Sequence, residues 1–114
     1  MDFEQHFRPG SVHSSLIEDL LELVANNRQD AVDAAIIMLE DLHEFGLLSR
    51  YVKKLHGLPL WELKTRSRGG VKGGVRVYFF VQENQANVIN VDVKPGNSAD
   101  TGKLKEALAF YLGD

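Results

Sequence analysis

The feature that most constrains this chain is a change of hydrophobic rhythm partway along it. Up to Leu42 the apolar residues recur every three or four positions, which gathers them on one face of a helix; from Leu60 to Val93 they alternate or form short β-branched and aromatic runs, as strands do. A chain that is helix-forming first and sheet-forming afterwards folds as α+β, with its helices covering one sheet. At 114 residues it has room for one hydrophobic core and not two, so residues 1–114 read as a single domain.

Phe3, Gln5 and Phe7 alternate with Asp2, Glu4 and His6, which predicts a short strand stopped by a turn at Arg8-Pro9-Gly10. Ser15-Leu16-Ile17-Glu18 has the form of a capping box, and Leu16, Leu20, Leu23 and Val24 then share a helical face. Asn26-Asn27 breaks that pattern. A second helix follows from Asp30, with Ala31, Ala34, Ala35, Met38, Leu39 and Leu42 on its apolar side and Gly46 as its stop. Two such helices with a short join predict an antiparallel hairpin that needs a sheet to cover it.

Strands are predicted over Leu60–Arg66, Val75–Val81 and Val88–Val93, joined by the Gly-rich stretch Ser67–Gly74 and a turn at Asn84–Asn87, as an antiparallel meander. Lys94-Pro95-Gly96 ends the last strand, because proline has no N–H to give the ladder. Asp100 or Thr101 caps a final helix carrying Leu104, Leu108, Tyr111 and Leu112. The predicted order is β-α-α-β-β-β-α, a small antiparallel sheet packed against a helical hairpin and a C-terminal helix.

The net charge of −3 hides a segregation. Residues 1–49 hold ten acidic residues against Arg8 and Arg28, whereas residues 50–76 hold Arg50, Lys53, Lys54, Lys64, Arg66, Arg68, Lys72 and Arg76 against Glu62 alone. That distribution predicts a localised basic surface suited to phosphates. The chain has no cysteine, which excludes disulfides, thiolate zinc sites and cysteine nucleophiles. Its start is polar and no stretch approaches the ~20 apolar residues of a membrane span, so a cytoplasmic protein is expected.

The histidines, His6, His13, His43 and His56, are too scattered for a metal-binding helix motif, and the Gly-rich loop lacks the Gly-Lys-Ser/Thr of a phosphate loop. No metal and no cofactor are expected. What remains is a cationic set on predicted strands or strand ends: Lys64, Arg66, Arg76 and Lys94, with Glu62 among them. Neighbouring strands lie ~5 Å apart, so these residues can converge although they are distant in sequence. Fixed cations suit a phosphodiester, whose cleavage needs charge stabilisation, a base and an acid but no metal. The alternative is that they are exposed strand residues paired with Asp92 and Glu62.

The run Lys54-Leu55-His56-Gly57-Leu58-Pro59-Leu60-Trp61-Glu62-Leu63-Lys64 resembles the K-L-x-G-L-x-E-L-R segment of the RelE/HigB/ParE superfamily of toxins from bacterial type II toxin-antitoxin systems, in particular its phage-derived HigB-like branch. Val75-Arg76-Val77-Tyr78-Phe79 is similar to that family's Y-R-V-x-Y strand, Val93-Lys94-Pro95 falls where it carries F-x-K-K, and Lys105-Glu106-Ala107 is similar to its C-terminal E-I-x-x-A helix. The likeness runs over residues 15–112. It implies a RelE-like fold and a ribosome-dependent mRNA endonuclease that blocks translation and is neutralised by a cognate antitoxin.

On that resemblance Arg76 stabilises the transition state, Lys64, Arg66 and Lys94 contact phosphate, Tyr111 stands where some relatives place a catalytic tyrosine, and Glu62 is structural. Lys53, Lys54, Arg68 and Lys72 would help hold RNA or the ribosome. Two other readings share the fold: a ParE-like inhibitor that binds DNA gyrase without cutting, and a non-toxic interaction protein of phage or mobile-element origin, which the acidic balance favours.

Overall fold

The structure, a computed structural model, describes residues 8–12, 14–65, 74–83, 85–94 and 102–113. Strand β1 (Arg8–Val12) leads into helices α1 (Ser14–Ala25) and α2 (Gln29–Phe45) and a 3-10 turn (Gly46–Leu48). Strands β2 (Val52–Lys54), β3 (Trp61–Lys64), β4 (Gly74–Gln82) and β5 (Gln85–Lys94) follow, and then helix α3 (Gly102–Tyr111). The strands form one five-stranded sheet in the order β1-β5-β4-β3-β2. β2 to β5 are antiparallel neighbours, as the alternating second half of the sequence predicts, and β1 lies parallel to β5. No described helix is long and apolar enough to cross a membrane.

Three expectations need correction. Arg8-Pro9-Gly10 is not a turn but the body of β1, with Pro9 opposite Ala86. β1 is an edge strand, and there a proline's missing N–H costs the sheet nothing. The strand expected over Phe3–Phe7 lies outside the described residues. β2 was not expected at all, and β3 ends at Lys64 with Thr65 already outside it; Arg66 lies outside the described residues.

The helix boundaries follow the local signals. Asn27 takes φ 58°, a left-handed conformation that asparagine tolerates, and the Arg28 N–H returns to the Leu23 carbonyl at 2.8 Å to close α1. α2 buries Ala31, Val32, Ala35, Met38 and Leu42 and ends where Gly46 takes φ 59°. α1 starts at Ser14, which puts Ser15 inside its first turn rather than at the cap. The expected cap of α3 lies outside the described residues.

The sheet separates two cores. On one face Leu63, Val75, Val77, Phe79, Ala86, Val88 and Val91 meet Leu16 of α1 and Ala31, Ala35, Met38 and Leu42 of α2. On the other, Leu60, Tyr78, Phe80 and Ile89 meet Ala107 of α3. Because both faces of β4 are covered, the run from Val77 to Phe80 is buried without interruption instead of alternating.

A bulge adapts β5 to this arrangement. Tyr78 pairs with Asn90 and Phe79 with Val88, so Ile89 is the extra residue. Ile89 joins the core under α3, and the neighbouring Asn90 Nδ2 donates to the Lys103 carbonyl of that helix at 3.0 Å.

Both layers are tied together at the edge of β5. The last β1 pair is Val12 with Val88, and farther on the Val91 N–H donates to Asp19 Oδ2 of α1 at 3.1 Å. The Lys103 ammonium of α3 reaches the other oxygen of Asp19 at 2.7 Å. A single carboxylate thus satisfies a strand amide and links the helices of opposite faces.

Candidate nucleic-acid interface

The period of two along β3, β4 and β5 decides which charges meet. Lys64 lies directly opposite Arg76, and Arg76 directly opposite Asp92, so the three occupy one rank across adjacent strands on the face that carries α3. One step along, Glu62 faces Tyr78 and Tyr78 faces Asn90. Lys94 takes the register position opposite Gly74, two residues beyond Asp92. α3 covers Leu60, Tyr78, Phe80 and Ile89 but leaves Lys64 exposed and Arg76 and Asp92 half-buried.

The charges are not independent. Arg76 Nε lies 3.6 Å from Glu62 Oε2, and Glu62 is buried. Burial pushes the Tyr78 hydroxyl up from 10.0 to about 12; the nearby carboxylates of Asp92 and Glu62 add to the shift and Arg76 opposes it. The site is therefore a rank of two cations and one carboxylate, with a neutral phenol in the rank next to it. It offers cations to a phosphate, a carboxylate able to accept a proton, and a rigid sheet beneath both.

The structure gathers part of the cationic set predicted from sequence and separates the rest. Lys64 and Arg76 are adjacent, and Lys94 is placed by register alone. Arg66, Arg68 and Lys72 lie outside the described residues. Tyr111 is not brought to the rank: its ring meets Phe80 edge-on at 5.2 Å between centroids. Phe80 stands four residues along β4 from Arg76, about 13 Å at the rise of a strand. Tyr111 packs on the sheet as an amphipathic residue.

Lys53 and Lys54 diverge as well. Lys53 lies opposite Glu62 on the face of the Arg76 rank, whereas Lys54 lies opposite Trp61 and turns to the other face. Edge lysines also discourage pairing with foreign strands.

Two residues of the site were not singled out from sequence as chemical groups. Asp92 appeared only as a pairing partner and Tyr78 only within the strand and motif segment around Arg76. Tyr78 shares the parity of Arg76 on β4, which was the signal available. Among the described residues no group of three or more His, Cys, Asp or Glu side chains is placed to hold a metal ion.

No protein-family model, curated protein or solved structure matches this chain.

Proposed function

We propose that this α+β domain is a RelE-like toxin component that cleaves messenger RNA without a metal, and that a cognate antitoxin protein holds it in check. One observation carries the reading: Lys64, Arg76 and Asp92 stand side by side across three strands on a stretch of sheet that α3 leaves open. The family resemblance of residues 54–64 and 75–79 adds to it.

The chemistry balances within that rank. The Asp92 carboxylate takes the proton of a ribose 2′-hydroxyl as its oxygen attacks the adjacent phosphorus. Arg76 neutralises the charge that builds on the phosphorane, and the Lys64 ammonium binds the phosphate and gives a proton to the departing 5′-oxygen. The products are a 2′,3′-cyclic phosphate and a 5′-hydroxyl; no water, oxidant or cofactor enters. Glu62 fixes the Arg76 side chain from below, and the Tyr78 phenol stays protonated at neutral pH.

A second reading, a toxin that binds its target without cutting, as ParE-like proteins bind DNA gyrase, is favoured by the Glu62–Arg76 ion pair, which already uses part of the Arg76 charge. Inducible expression in a bacterial host, with message ends mapped by primer extension, separates the two. Arrest with new cuts in translated messages supports the nuclease. Arrest with intact messages supports the binding toxin.

A further inference from the structure

The exposed edge of the sheet carries a second set of cations, each laid on an aromatic ring. The Arg50 guanidinium carbon is 5.1 Å from the centroid of the Tyr51 ring, and Lys54 Nζ is 5.1 Å from the centroid of the Trp61 ring. Arg50 and Lys54 are exposed while both rings are half-buried, so the cations form the outer layer.

The rings are held firmly from beneath. Tyr51 and Trp61 both pack on the core under α1 and α2, and Trp61 stacks on Phe79 with centroids 6.4 Å apart and planes 21° apart. The backbone of Tyr51 is pinned by Ser49, whose Oγ accepts the Tyr51 N–H at 3.3 Å and donates to Asp41 Oδ2 at 2.6 Å. Lys54 Nζ is steadied by the Leu58 carbonyl at 2.6 Å.

Residues 46–61 carry Arg50, Lys53 and Lys54 and no carboxylate. An edge lysine that serves only to repel foreign strands needs no ring beneath it. Cations steadied over rings in this way suit single-stranded nucleic acid, since an unpaired base has a flat face to lay on a guanidinium plane and every nucleotide a phosphate to neutralise. A duplex, with its bases already stacked inside, has no free base for the guanidinium plane. Lys53 points to the opposite face, beside Glu62 and next to Lys64, so cations continue around the open edge of β2.

We propose that the β2 edge is a second contact for a single RNA strand, in which a base stacks on the outer face of the Arg50 guanidinium above Tyr51, Lys54 beside Trp61 meets a phosphate, and the strand rounds the edge past Lys53 toward Lys64 and Arg76. The identification of the strand as RNA rests on the nuclease reading of the Arg76 rank; the stacking contact does not depend on cleavage.

Trp61 is the one tryptophan of the chain, so its emission reports on the contact directly. The full chain is titrated with a single-stranded RNA of about 12 nucleotides, with a duplex of the same sequence, and with heparin as a polyanion without bases. The single strand is expected to quench Trp61. The double variant Arg50→Ala with Lys54→Ala, which changes only exposed side chains, is expected to bind it roughly tenfold or more weakly by anisotropy. Equal affinity of the double variant and the parent, equal quenching by heparin, or equal binding of the duplex each overturns the proposal. Message cleavage with unchanged affinity in the double variant removes the edge contact and leaves the nuclease. Edge binding without any cleavage removes the nuclease and leaves the contact.

Discussion

Arg76 and Glu62 pair diagonally across the β3–β4 ladder, Nε to Oε2 at 3.6 Å, with the glutamate side chain 6% exposed and the arginine 21%. The residue assigned the central chemical role is therefore also part of the fold. Arg76→Ala leaves Glu62 buried without its nearest cation and is expected to lower unfolding free energy by about 1–3 kcal/mol, measured by urea denaturation. Arg76→Ala together with Glu62→Gln is expected to recover part of that loss, because the buried charge is gone. Non-recovery would show that Arg76 stabilises the fold by packing rather than by pairing.

Asp19 satisfies the Val91 N–H and receives Lys103 in the same buried position. Asp19→Ala removes both and is expected to cost about 2–4 kcal/mol, with faster hydrogen exchange at the Val91 amide. Lys103→Ala is expected to cost under about 1 kcal/mol, since that ammonium is a third exposed and water replaces its partner.

Alkaline pH is expected to weaken the fold. With its pKa raised from 10.0 to about 12 by burial and by Asp92 and Glu62, Tyr78 contributes stability that is complete below pH 10 and lost as pH rises toward 12. The loss is on the order of 2 kcal/mol. Lys103 acts in the same sense: burial lowers its pKa, but the hydrogen bond and charge of Asp19, with Glu106, more than offset this and raise it. Urea midpoints across this range should fall for the parent and fall less for Tyr78→Phe.

Adjacent residues of α2 should behave oppositely. Met38 is fully buried, and Met38→Ala is expected to cost about 2–5 kcal/mol through lost contacts and a cavity. Ile37 is 55% exposed, and Ile37→Ala is expected to change stability by no more than about 0.5 kcal/mol in thermal or urea unfolding.

The sequence made the helical hairpin, β4, β5 and α3 readable because each carries an apolar pattern long enough to outweigh local noise, and β3 readable from the alternation of Trp61, Glu62, Leu63 and Lys64. β2 was hidden by its brevity: Val52-Lys53-Lys54 offers one apolar residue and owes its strand conformation to pairing with β3. The strand at Arg8–Val12 was read as a turn because Pro9-Gly10 is a common turn signal, and a sheet edge is one of the places where proline is tolerated in a strand. Arg76 and Lys64 could be grouped from strand parity, but the opposed directions of Lys53 and Lys54 required the register against β3. Asp19 gave no warning, since one carboxylate among leucines in a helix reads as solvated surface until the edge of β5 is placed beside it.

The most direct test of the central claim is inducible expression in a bacterial host of the parent chain beside Arg76→Ala at matched soluble levels, following growth and mapping message ends by primer extension. The account predicts arrest with new ends inside translated messages for the parent and neither effect for the variant. Normal growth and unchanged message ends with abundant soluble parent protein would contradict it.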